Sequence, residues 1–261
     1  MAMPSSQGSS LPSAWVHSLW SPVNRWGRRV VDLVLPPRCP SCGQDVEATG
    51  LICPNCWSDL RILAPPWCHQ CGRPFAHGED DDTQLCGACL QNPPHYDHAR
   101  AAFAYQGAAR KLVLSLKYAD RLYLAPLIAD WLNRAVQGLP DYPGDTPALV
   151  VPVPLHWRRL MGRKYNQAAE LARALVKVMD EKPTGLAAHY SPDLVKRVRS
   201  TPPQGSEQAP SRHLNVQRAF SVIDPAAVQD AYIILVDDVI TTGATVNELA
   251  KILKQAGAAR V

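Results

Sequence analysis

The chain has 261 residues, 46% hydrophobic and 19% charged, and a net charge of +4. That length suits one medium domain with a small companion, and the composition excludes a wholly disordered or low-complexity chain. No apolar run approaches a membrane span, and Met1–Leu35 lacks the compact apolar core of a secretory signal, so a cytoplasmic protein without a transmembrane segment is expected.

Residues 1–13 are small and polar and are expected to be disordered. Trp15, Leu19, Val23, Trp26 and the Val30-Val31 pair then recur at roughly helical spacing. Residues 1–35 therefore read as a tail followed by a short amphipathic helix over Ala14–Leu35. Such a helix can lie on a membrane surface, but packing on the rest of the chain is the simpler expectation.

Pro36-Pro37 closes that segment and opens a cysteine-rich region over residues 36–92. All eight cysteines lie there, as four Cys-x-x-Cys pairs. In a reducing compartment such cysteines bind metal more often than they form disulfides. Cys39-Pro-Ser-Cys42-Gly43 and Cys68-His-Gln-Cys71-Gly72 have the form of zinc knuckles, in which backbone N–H groups support the thiolates and the glycine permits a left-handed turn. Cys53-Pro-Asn-Cys56 and Cys86-Gly-Ala-Cys89 complete the set. Four thiolates make a closed tetrahedral site, structural and not catalytic, with Zn–S near about 2.3 Å. Two structural zinc ions are expected. Sequential pairing joins Cys39, Cys42, Cys53 and Cys56 in one site and Cys68, Cys71, Cys86 and Cys89 in the other. Cross-bracing would join the first knuckle to the third and the second to the fourth. Spacing leaves both open, although the Pro65-Pro66 break favours the sequential arrangement. His69 and His77 are not expected as ligands, and the acidic run Glu79–Asp82 reads as a solvated loop.

Asn92-Pro93-Pro94 is expected to mark the boundary with a larger domain over residues 95–261. Ala99–Tyr105 reads as a strand, Ala108–Tyr118 as a helix ending in Lys117-Tyr118, and Leu122–Val136 as a second helix. Leu149–Leu155 is a buried strand ended by two prolines, after which Asn166 can cap a helix with Ala168, Leu171, Ala172, Leu175 and Val178 on one face. A strand feeding a cationic loop and a helix offers an anion site. The candidate contacts for pyrophosphate or nucleic acid are Arg158, Arg159 and Arg163, with Lys117 and Arg199. Between Ala101 and Phe220 stand 17 Lys and Arg against 9 Asp and Glu. That bias suits a polyanion as well as an ordinary solvated surface. Trp157 and Tyr165 can stack on bases or simply pack. Lys182–Pro210 reads as a mobile flap or a disordered insertion that interrupts the strand–helix alternation.

Everything in this domain is organised around Tyr232–Thr245. Ile233-Ile234-Leu235-Val236 is a strand apolar enough to be buried on both faces of a parallel sheet. Asp237 and Asp238 then fall at its C-terminal end, where open α/β sheets bind ligands. The loop Thr241, Thr242, Gly243, Ala244 and Thr245 opens a helix, whose N–H groups and dipole favour a phosphate. Two carboxylates beside such a cradle suit a sugar phosphate, the acids taking ribose hydroxyls and the loop the 5′-phosphate. A plainer account is a solvated turn with a Thr245–Glu248 capping box. The stretch closely resembles the phosphoribosyl-pyrophosphate (PRPP) signature of type I phosphoribosyltransferases, with every position of that pattern present.

In sequence order these segments resemble the competence protein F (ComF) family. The resemblance is carried by the two prolines before Cys39-Pro-x-Cys42-Gly43, Leu116-Lys117-Tyr118, and Val151-Pro-Val-Pro-Leu155. It continues through Arg163-x-x-Asn166-Gln167, Thr201-Pro-x-Gln204, Arg212-x-x-Asn215-x-x-x-Ala219-Phe220 and the PRPP signature. It implies an α/β fold: a type I phosphoribosyltransferase-like parallel sheet with helices on both faces, preceded by a double zinc ribbon. It also implies PRPP with Mg²⁺, single-stranded DNA, and other DNA-uptake proteins at the inner face of the membrane as partners. Three functions fit: a phosphoribosyltransferase, a nucleic-acid-handling adaptor on the same fold, and a PRPP sensor. Two departures stand out. Lys164 and Tyr165 replace the family's common Gly-Phe, and the chain stops at Val261, where the family runs through one more strand, so the sheet is expected to lack its last strand.

Overall fold

The structure is a computed structural model, and it describes residues 36–76, 83–118, 121–140, 146–155, 165–181, 187–198 and 219–261. In chain order its elements are α1 (Pro54–Ser58), α2 (Gly87–Gln91), α3 (Gly107–Tyr118), a 3-10 turn (Leu122–Leu124) leading into α4 (Ala125–Gln137), β1 (Ala148–Pro152) and α5 (Gln167–Glu181). They continue with β2 (Ala188–Tyr190), β3 (Val195–Arg197), β4 (Phe220–Val222), α6 (Pro225–Val228), β5 (Ile233–Val236) and α7 (Ala244–Gln255).

The apolar runs build a parallel sheet in the order β2-β1-β5, with Leu149 opposite Ile233 and Ala148 opposite Ala188. Alternation along the strands sends neighbouring side chains to opposite faces. Val150, Ile234 and Val236 meet Ile128 and Ala129 of α4 and Leu171 and Leu175 of α5. Val151 and Ile233 meet Val246, Leu249 and Leu253 of α7 and Val228 of α6. Both faces are covered, which is why these strands carry no polar alternation. Asn166 does cap α5: its Oδ1 accepts the Ala168 N–H at 3.1 Å while its Nδ2 donates to the Val153 carbonyl at 3.1 Å. The segment just after β1 is thereby tied to the start of α5.

Two expectations need correction. The stretch from Lys182 is not uniformly irregular, because it contains β2, which continues the parallel sheet, and β3, which pairs antiparallel with β4. Each strand has three residues, too few for a periodicity to register. Ala99–Tyr105 is not a strand. Its backbone is taken up by the cysteine-rich region: Ala99 N–H donates to the Gln70 carbonyl at 2.7 Å and Ala104 N–H to that of Arg61 at 2.9 Å. Phe103 forms only an isolated bridge with Ile62.

At the other end, Arg260 bridges Tyr232 in parallel, and Ile233 N–H donates to its carbonyl at 2.9 Å. Among the described residues the sheet has three strands, with this bridge beside β5. No helix of the described residues is long and apolar enough to cross a membrane. The expected Ala14–Leu35 helix, His77, the Glu79–Asp82 run, Trp157 and residues 182–186 and 199–210 of the flap lie outside the described residues.

Candidate functional site

The cysteine-rich region is one construction made twice. In each copy a knuckle supplies two cysteines, and a short helix supplies the other two, at its N-cap and one turn on. Cys39 N–H donates to Gln44 O at 2.7 Å and Cys68 N–H to Arg73 O at 2.8 Å, closing equivalent turns with Gly43 and Gly72 at φ +80° and +68°. The sulfurs of Cys39, Cys42, Cys53 and Cys56 all lie within 4.8 Å of one another, as do those of Cys68, Cys71, Cys86 and Cys89. The pairing is sequential, not cross-braced, and His69 belongs to neither set. The donors fit zinc. Cys42 and Cys53 sulfurs are 3.5 Å apart and Cys71 and Cys86 sulfurs 3.6 Å, near the tetrahedral edge of roughly 3.8 Å that Zn–S bonds of about 2.3 Å require. Burial alone would raise the Cys39 thiol, but N–H groups of Cys53, Cys42 and Ser41 bring it down to about 6. Burial pushes Cys56 up to about 12. Four sulfurs this close cannot all ionise unaided, and a dication among them removes that penalty.

The first site sits against α3. Cys39, Cys53, Cys56 and Leu60 share one apolar cluster with Ala108, Ala109 and Leu112. Asp59 Oδ2 accepts the Ala108 N–H at 2.8 Å, capping α3 from outside. At the far end of α3, Lys117 Nζ lies 2.9 Å from Asp238 Oδ2, with both side chains largely buried. Tyr165 Oη donates to the Leu116 carbonyl at 2.7 Å beside them, so this tyrosine braces the α3 end.

The second site is tied to the strap that leads to α7. Gln70 Nε2 donates to the carbonyls of Pro94 and Tyr96, at 3.3 Å each, and Arg100 Nη1 donates to the His69 carbonyl at 2.9 Å. The strap so held reaches α7, where His95 N–H donates to Asn247 Oδ1 at 2.6 Å. Asp97 takes Lys254 at 2.7 Å, Arg260 at 3.3 Å and the Val261 N–H at 2.7 Å. Burial alone would raise the Asp97 carboxyl, but these donors hold it below the usual carboxylate range.

Between these supports lies the acid pair. Asp237 Oδ1 accepts the Asp238 N–H at 2.8 Å. Asp237 keeps some exposure at its edge and borders a cavity of about 110 Å³ beside Tyr96 and Val136. Burial, then the Asp238 charge, pushes its carboxyl up to about 7. Gly243 takes φ +74° as the N-cap of α7, and no side chain caps the helix from that position. The Thr245–Glu248 capping box is therefore not how α7 starts, since the helix begins at Ala244 and Thr245 is already inside it. Thr242 Oγ1 instead accepts the Ala244 N–H at 3.4 Å. Lys117 is brought to the acid pair, while Arg158, Arg159, Arg163 and Arg199 lie outside the described residues. His95 and Asn247 carried no sequence signal; their contact crosses 152 positions and exists only in the fold.

Over 231 residues, covering 88% of this chain and 96% of the relative, the chain is 34% identical to the DNA utilization protein YhgH of Salmonella typhimurium. Competence protein F of Haemophilus influenzae is 29% identical over 84% of this chain and 92% of its own length. The chain belongs to the ComF family. Within that family it is also 24% identical to competence protein ComFC of Streptococcus pneumoniae, across 85% of this chain and 95% of that protein. The double zinc ribbon domain model matches residues 30–90, the part that holds both four-cysteine sites.

Proposed function

We propose that this ComF-family chain binds PRPP with Mg²⁺ at the loop after β5 and acts on, or alongside, incoming single-stranded DNA or a nucleobase-like acceptor. The observation that carries the proposal is the convergence of Lys117, Asp237 and Asp238 on a loop whose helix starts at a left-handed glycine. The carboxylates take the ribose hydroxyls, and the N–H groups and hydroxyls of residues 241–245 take the 5′-phosphate. Lys117 then shifts from Asp238 towards the pyrophosphate, aided by the arginines at 158, 159 and 163. Mg²⁺, a hard cation suited to pyrophosphate and carboxylate oxygens, supplies charge neutralisation at the leaving group. In the transfer itself an acceptor lone pair forms the bond to the anomeric carbon as the C–O bond to pyrophosphate breaks, and pyrophosphate departs with the electron pair. The acceptor's proton passes to solvent.

The names of the relatives, DNA utilization protein and competence protein, support a role in DNA uptake; a place on the cytoplasmic side, beside other uptake proteins, is part of the same proposal. A PRPP-dependent adaptor without turnover uses the same pocket. The Lys117–Asp238 pair favours that second reading to one extent: ligand must break a largely buried ion pair on entry, which suits a switch as well as a catalyst. Calorimetry with PRPP and Mg²⁺ tests the pocket, with Asp238→Asn alongside. Binding that the variant abolishes is expected; no heat from the wild-type chain refutes the PRPP reading. Pyrophosphate release with DNA or nucleobases present then separates transferase from adaptor.

A further inference from the structure

A second opening beside the loop after β5 does not have Lys117 in its lining. A cleft of about 770 Å³ separates the second zinc site from the loop after β5. One wall is the ribbon, with Arg73 and the cysteines at 71, 86 and 89, together with Arg100 of the strap; the other is the loop itself, with Ile240 and Thr242. The lining holds no aspartate or glutamate; Arg100 is engaged by the His69 and Ala99 carbonyls, so the cation offered at the rim is the exposed Arg73. Ile240 is 42% exposed, a high value for an isoleucine, and it shares the cleft with Pro93, Pro94 and the ring of Tyr96. That volume is in the range of small-ligand sites. The walls combine apolar and aromatic surface for the face of a base with a cation at the edge for a phosphate, the pairing used by proteins that hold single strands.

Resting on the functional reading above, we infer that this cleft holds one nucleotide unit of a single-stranded nucleic acid, its base against Pro93, Pro94, Ile240 and Tyr96 and its phosphodiester at Arg73. The second zinc ribbon is then one wall of the nucleic-acid site and the loop after β5 the other, so DNA and PRPP meet at residues 241–243, which line the cleft. A phosphodiester is favoured over a neutral ligand by the exposed guanidinium of Arg73 at the rim, and a polymer over a free nucleotide by the cleft's being open to solvent.

Anisotropy of a labelled oligothymidylate, titrated with the full-length zinc-loaded chain over a salt series, tests this. Arg73 is exposed and makes its ribbon contacts through its backbone, so zinc content reports whether a substitution has left the ribbon intact. Arg73→Ala should lower the slope of log affinity against log salt by about 0.7, the value for one phosphate contact on a single strand, and Arg73→Glu should weaken binding further. A 4-thiothymidine oligonucleotide should photo-crosslink to peptides spanning residues 90–101 or 238–250. Unchanged affinity and salt slope in Arg73→Glu overturn the inference alone. So does crosslinking confined to the half-exposed Trp57, which stacks on Trp131 at 5.3 Å on another face. No oligonucleotide binding by the wild-type chain overturns it together with the DNA half of the functional reading, leaving PRPP binding to stand or fall by calorimetry.

Discussion

Ionising a carboxyl at the end of a buried apolar strand is costly, and Asp237 is the place to measure that cost. Burial and the Asp238 charge raise it from 3.8 to about 7, against the opposing pull of the Asp238 N–H, Lys117 and Arg197. In the unfolded chain the same group titrates near 3.9. Between those values the folded protein holds a proton that the unfolded chain has released. Stability therefore falls as pH rises through this window, by up to about 1.4 kcal/mol per pH unit. The contribution is complete below the unfolded value and gone above the folded one. Asp237→Asn, isosteric and neutral, removes it. Urea unfolding with zinc present, from roughly pH 5.5 to about 7, should show wild type losing about 2 kcal/mol relative to the variant. Staying above pH 5 keeps the cysteine sites metal-bound, so the difference isolates one carboxyl. Parallel pH profiles for the two proteins would refute the reasoning, because a carboxyl in water would already be ionised throughout.

Metal analysis should find two zinc ions per chain, and Cys53→Ser should release one while leaving the other, since the two sulfur sets are separate. Asp59→Ala should cost about 0.5–2 kcal/mol in chemical denaturation, the usual loss when a helix cap is removed, and should loosen α3 from its N-terminal end in hydrogen exchange. Gly72→Ala puts a side chain at φ +68° and drives its Cβ into the Ala99 carbonyl oxygen. The backbone conformation alone costs about 1–2 kcal/mol, so total destabilisation should exceed that figure, and a thermal melt indistinguishable from wild type would show that the strap does not hold the second knuckle.

The sheet was legible where burial on both faces leaves a mark in composition. Val150-Val151 and Ile233–Val236 are unbroken apolar runs because one side of each strand meets α4 and α5 and the other meets α7. β2 left no such mark. Ala188 is buried and His189 exposed, and three residues cannot establish a period. Ala99–Tyr105 failed for a different reason: its pattern is that of a strand, but its hydrogen-bonding partners belong to the ribbons and not to a sheet. The zinc ligands were legible because four thiolates at this spacing have one common chemistry, whereas their pairing waited for geometry. Around the acid pair, the Asp237–Asp238 step and the glycine of the loop could be read directly. The raised Asp237 carboxyl could not, since it depends on what is packed around it.

The two ribbons also divide their labour in a way no spacing discloses. The first braces α3 through its apolar cluster and Asp59, and α3 delivers Lys117 to Asp238. The second braces the strap from Pro94 to Arg100, and the strap delivers His95 to Asn247, while a Cβ on Gly243 would come within 3.8 Å of Tyr96 Oη. A loop that opens a helix at a glycine must be positioned from outside, because that glycine gives it little stiffness. Here the positioning comes from both flanks, and each flank rests on a four-cysteine site. The two four-cysteine sites are thus mechanically joined to the loop after β5 even though neither cysteine set contains a residue of the loop.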